Sequence, residues 1–156
     1  MASALASHRL FGPLLILIAA GVGTIALVRV LLGEKQAQVW DAIKKFGEVL
    51  TLEPGNVEAL TYSGWYARLI AVQQPEGDGR NSLIAAAEDK LTEAVKADAN
   101  YPDAQCFLAI LLFRDRSDAA GAKPHLDACV ASNPPAMVKG MISSLSAEID
   151  AALAGS

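Results

Sequence analysis

The sequence predicts an all-α protein in which one N-terminal transmembrane helix precedes a short α-solenoid of antiparallel helix pairs. Three observations carry that expectation. Residues 10–28 form a run of 19 residues without a charge. From residue 37 onward, apolar side chains recur at spacings of three and four, and no β-branched run alternates as a strand would. A nine-residue segment also returns along the chain at residues 46–54, 91–99 and 126–134.

The first element is the uncharged run. As a helix it extends about 28 Å, close to the roughly 30 Å of a bilayer's hydrocarbon core. Leu31 and Leu32 prolong it past Arg29, whose long stem can reach the headgroups, so residues 10–32 are the expected embedded segment. Pro13 falls in the first turn, where a missing N–H costs little. The run is longer than a secretory leader's apolar stretch, and no small-x-small cleavage site follows it. Residues 1–33 therefore read as a tail and an uncleaved signal anchor. A cleaved leader and a buried soluble helix are the alternatives. Basic residues nearly balance across the run, with Arg9 before it and Arg29 and Lys35 after it. The short tail and the following folded domain favour the tail inside and the domain outside the cytoplasm.

Composition agrees with this division. The chain of 156 residues is 53% hydrophobic and 19% charged, with a mean hydropathy of +0.31. That excess sits in the first 33 residues, and the remainder has the balance of an ordinary soluble domain. Disorder is excluded by the apolar content, and a cysteine-stapled mini-domain by a count of two cysteines. Residues 34–156 hold 11 basic and 17 acidic side chains, a net charge of −6. Such a domain repels phosphate backbones, so no nucleic acid is expected as a partner.

Within residues 34–156 the helices follow in order. Val39, Trp40, Ile43, Phe46, Val49 and Leu50 form one stripe over residues 37–52, with Trp40 read as core and the membrane interface as its alternative. Pro54, Gly55 and Asn56 stop that helix. A second helix is expected over 57–72, a polar loop over 73–82, a third helix over 83–97 and a fourth over 103–113. A charged turn spans 114–118, and a fifth helix ends near 132, with Pro124 either kinking it or marking a late start. One last helix, 136–154, should face inward with Met137, Met141, Leu145 and Ile149 and act as a cap.

The three recurring segments fit a period of 34 once an insertion falls on the glycine-rich loop after Gln73. At that spacing the chain resembles the tetratricopeptide repeat (TPR) family. The first-helix signature stands as Leu60, Ser63, Gly64 and Ala67, and again as Gln105, Leu108, Ala109 and Leu112. The second-helix signature stands as Ala42 and Phe46, Ala87 and Leu91, and Ala122 and Leu126, with closing prolines at Pro54 and Pro134. Ser63, Ala67 and Gln105 depart from the pattern, and Ala99 occupies the middle proline slot. The resemblance implies a half repeat at 36–54, repeats at 57–101 and 102–135, and a cap at 136–154. It assigns Gly64, Ala109, Ala42, Ala87 and Ala122 to close helix approach, with Phe46, Leu91 and Leu126 filling between.

Residues 42–135 are also similar to the repeat region of cytochrome c-type biogenesis proteins, which join a membrane helix to a short repeat domain. That similarity implies a role in presenting apocytochrome c outside the cytoplasm. No C-x-x-C pair is present, so redox or haem-attachment chemistry would belong to another protein. The TPR resemblance further implies a groove lined by Glu58, Thr61, Trp65, Arg68, Asp103, Cys106, Ile110 and Phe113. Trp65, Ile110 and Phe113 would anchor an apolar ligand, and Arg68 with Arg114 would offer a fork for a carboxylate. The alternative is that Trp65 and Phe113 fill the repeat core. Cys129 falls beside Leu126 in the packing row and reads as a small buried apolar residue. A disulfide to Cys106 requires the two Cα atoms to come within about 7 Å.

Catalytic readings find no support. His8 and His125 lack partners at metal spacing, and Glu88–Asp89 and Asp115–Asp118 read as solvated carboxylates. The Gly77-Asp78-Gly79 stretch follows no strand, and Ser143-Ser144 has no triad context. No catalytic residue, metal or cofactor is expected. The expected function is a membrane-anchored interaction scaffold or assembly factor that binds polypeptide. A structural accessory subunit of a membrane complex, packed through Gly21 and Gly23, is the alternative.

Overall fold

The structure is a computed structural model and describes residues 37–155. The chain divides into two compact units, Met1–Asp41 and Ala42–Ser156. In the first, residues 37–41 are helical, and Trp40 is 55% exposed rather than in a core. The expected membrane segment, residues 10–32 with Gly21 and Gly23, lies outside the described residues. No helix among the described residues is long and apolar enough to cross a membrane.

The second unit is all-helical, with no strand among its described residues. Residues 42–52 are helical (α1). They are followed by α2 (Val57–Ala71), α3 (Asp78–Ala97), α4 (Pro102–Arg116), α5 (Ala119–Ala131), α6 (Ala136–Ile142) and α7 (Leu145–Ala154). Each start has a local cause. Asn56 caps α2 by accepting from the Ala59 N–H at 3.0 Å, and Glu58 lies in the first turn, where the helix dipole favours an acid. Pro102 opens α4 at a position that needs no N–H. Asp118 caps α5 by accepting from the Gly121 N–H at 2.8 Å.

Two boundaries differ from the sequence reading. Helix α3 begins at Asp78 rather than near 83, because residues 78–82 form a solvent-facing first turn that carries little apolar signal. Gly77 precedes it with a φ of 148°, a conformation open to glycine. Helix α4 continues through Arg116 instead of yielding to a charged turn at 114. Its last charges are all engaged: Arg114 with Glu148, Asp115 with Arg68 and Arg116 with Glu88. Pro124 lies inside α5, which starts at Ala119, and the proline is on the exposed side.

The C-terminal segment is two helices rather than one, broken at Ser143 and Ser144. Its inward face is also shifted by one residue in α6. Val138 and Ile142 are buried with Leu145 and Ile149, while Met137 is 79% exposed and Met141 also faces out. The four inward positions are spaced four, three and four residues apart, as one helical stripe requires.

Packing follows chain order. Helix α2 packs on α3, α3 on α4 and α4 on α5, while α2 also touches α4 and α4 touches α6. Helix α7 returns to α5. Every residue from Asp103 to Leu111 is buried, so α4 is the central rod, covered on all sides. The close approach of α2 and α3 centres on Gly64, where an added Cβ would stand 2.9 Å from the Ala87 carbonyl oxygen and 2.9 Å from the Leu91 side chain. Ala87, Leu91, Ala109, Ala122 and Leu126 are fully buried, and Ala42 and Phe46 are half-buried.

Candidate protein-interaction surface

Helix α2 turns a row of aromatic side chains toward α1 and α4. Tyr62, Trp65 and Tyr66 lie three and four residues apart, so they share one side of the helix. Phe46 of α1 stacks on Tyr62 and Tyr66 with centroids 5.8 and 6.2 Å apart. Phe107 of α4 stacks on Trp65 at 4.2 Å and meets Tyr62 edge-on at 6.0 Å. Phe107 is buried, whereas Phe46, Tyr62, Trp65 and Tyr66 are half-buried.

Each end of the row is ionic. At one end Arg68 lies over the Trp65 ring at 5.1 Å and its Nε pairs with Asp115, with both side chains nearly buried. At the other, the Tyr62 hydroxyl donates to an Asp103 carboxylate oxygen at 2.6 Å. The second Asp103 oxygen, Oδ1, is buried without a hydrogen-bond partner. Burial, then that hydrogen bond, pushes the Tyr62 hydroxyl above the usual tyrosine range. Burial and the nearby charges of Asp103 and Glu58 push Tyr101 the same way. This end is therefore electronegative.

Set against that geometry, the expected groove residues separate. Glu58 is exposed, and Trp65 and Phe113 are half-buried. Thr61 is buried, not lining, and its hydroxyl donates to the Val57 carbonyl at 2.7 Å. Asp103 and Ile110 are buried within α4, so neither faces a groove. Cys106 does not point into a groove either. It is bonded to Cys129 of α5, with Cα atoms 4.9 Å apart, so Cys129 is not a free apolar residue. These positions turn inward because α4 is wrapped by its neighbours.

The proposed guanidinium fork is also used internally. Arg68 is held by Asp115, and Arg114 lies over Phe113 at 5.2 Å while its Nη2 donates to Glu148 at 2.8 Å. That bond raises the Arg114 pKa and, with a second from Ser144, lowers that of Glu148. Asp115 is not a solvated turn carboxylate, since its side chain is only 3% exposed. His125 is half-buried, with its Nδ1 2.7 Å from the Gln105 amide oxygen, and burial lowers its pKa. Tyr62, Tyr66, Phe107 and Asp115 were invisible as site residues in sequence. Tyr62 and Tyr66 do show α2's helical spacing, but the Arg68–Asp115 pair spans 47 residues and leaves no local signal.

What this surface can do is bury a partner's apolar side chain against half-open aromatic rings beside a negative rim. Comparison of the chain with protein-family models, with curated proteins and with solved structures returns no match.

Proposed function

We propose that this protein is a membrane-anchored, TPR-like interaction scaffold or assembly factor that holds an apolar, basic polypeptide. The observation that carries the reading is the half-open aromatic row of Phe46, Tyr62, Trp65 and Tyr66, which ends at the exposed acid Glu58 and the buried acid Asp103. Aromatic faces give a partner contact area at small entropic cost. A domain of net charge −6 steers basic chains toward it. The α2–α3 and α4–α5 pairing, with Gly64 at the crossing, supports a repeat array of the kind that presents such surfaces. The embedded segment 10–32 would hold it at a membrane. Presentation of apocytochrome c is the named candidate for this role, resting on the sequence resemblance of residues 42–135.

The test uses the full chain in detergent or nanodiscs. Unfolded basic polypeptides, including C-x-x-C-H peptides, are titrated against it at low and high salt. Binding should weaken with salt, and Glu58→Lys should lower affinity several-fold at low salt, with only the small drop in thermal midpoint that a cation in the first turn of α2 brings. Equal affinity for acidic and basic chains would overturn the charge argument. Absence of binding to C-x-x-C-H peptides would remove the apocytochrome candidate alone. Recovery of the protein in fixed stoichiometry with one membrane complex would favour an accessory subunit instead.

A further inference from the structure

Cys106 and Cys129 are the chain's two cysteines, and both are completely buried where α4 meets α5. Cys106 sits in the buried stretch of the central helix, beside Gln105 and Phe107. Cys129 lies on the packed face of α5, one turn from Leu126. Thiol–disulfide exchange needs an external sulfur to approach the bond it attacks. The folded domain leaves no surface of either sulfur for that approach. The bond must therefore close while the α4–α5 hairpin is still open, and it is shielded once the hairpin shuts.

We propose that Cys106–Cys129 is a structural staple introduced by a disulfide-bearing carrier during folding, so that the domain matures on the oxidising side of its membrane. The chemistry balances in two exchanges. The thiolate of one cysteine attacks the carrier's disulfide, forming a mixed disulfide and releasing one carrier thiolate. The second cysteine's thiolate then attacks the first cysteine's sulfur and expels the other carrier thiolate. The carrier leaves as a dithiol, having accepted two electrons, and the two protons end on its sulfurs. Intrachain disulfides persist in oxidising compartments and are reduced in the cytosol. The pair thereby decides an orientation that the nearly balanced basic residues around residues 10–28 leave open. This inference goes beyond the interaction reading; it rests on that reading's membrane segment and not on its polypeptide ligand.

The experiment uses the full chain in its own membrane. Cells are quenched in acid, and thiols are tagged with a polymer-linked maleimide after denaturation, with and without prior reduction. No tag should add without reduction, and two should add after it. Two tags without reduction would overturn the proposal. Native membranes are next exposed to a small reductant before tagging. The bond should survive until denaturant is added, and prompt reduction in the folded protein would overturn the shielding. Sidedness is read with Gln74→Cys, in the exposed α2–α3 connection. An impermeant maleimide should label it on intact cells, and labelling only after lysis would overturn the orientation.

Discussion

Gly64 is a position where one methyl group has no room. Its absent Cβ would press on a backbone oxygen as well as on Leu91, and the backbone oxygen cannot rotate away. Gly64→Ala should destabilise the domain by about 1–3 kcal/mol, seen as a lower urea midpoint with an unchanged slope. The equivalent change at Gly47, where an added Cβ meets nothing within 4 Å, should be neutral or stabilising by helix propensity. Arg68 is a second sensitive residue. Its side chain is 12% exposed and that of Asp115 3% exposed, so Arg68→Ala leaves a buried carboxylate without its cation. A loss of about 3–5 kcal/mol is expected. The double variant Arg68→Met with Asp115→Leu should recover much of it, and a double-mutant cycle measures the coupling.

At the level of the helix, ends rather than middles determine where the chain turns. Asp118 follows the left-handed Ser117 and receives the Gly121 N–H, so it closes α4 and opens α5 within two residues. Asp118→Ala should cost about 1 kcal/mol of unfolding free energy, and Asp118→Asn much less. Gly121 is tied to the same cap. A Cβ there would collide with the Asp118 carboxylate and push it off the Gly121 N–H, so Gly121→Ala should be as costly as loss of the cap itself. The C-terminal pair shows a different control. Helices α6 and α7 are held by Val138, Ile142, Leu145 and Ile149 against the core, and Glu148 of α7 reaches Arg114 of α4. Lys123 of α5 adds contacts to Asp127 and Asp150. These exposed pairs contribute little each, so the apolar stripe sets the position of the cap.

For the whole domain, pH should reveal two separate flanks of stability. His125 resists protonation because it is half-buried, whereas the unfolded chain takes that proton near 6.5. Stability should therefore fall as pH drops below about 6.5, since the unfolded state then binds more protons. Glu148, with its pKa lowered by Arg114 and Ser144, adds a contribution present above 4.5 and lost as pH falls through its folded value. Tyr62 and Tyr101 hold their protons above the ordinary value of 10.0, so stability should fall again as pH rises past about 10. A broad plateau from about pH 7 to 9 is the expected outcome of urea titrations across pH. His125→Gln should flatten the flank near pH 6, and Tyr62→Phe should reduce the alkaline one to the part that Tyr101 supplies.

The sequence by itself determined the helical class, the order of the helices and the small residues at their crossings. Those features are local or periodic: apolar spacing, the stop at Pro54, Gly55 and Asn56, and Gly64 in the same stripe as Leu60. Tertiary structure alone decided which of two plausible faces of α4 is exposed, and from Asp103 to Leu111 the answer was neither, because four neighbouring helices cover that stretch. It also joined Cys106 to Cys129 and Arg68 to Asp115, and turned Met137 outward in favour of Val138. Pattern reports that a side chain can be buried. Only the partner helix, brought from tens of residues away, settles whether it is.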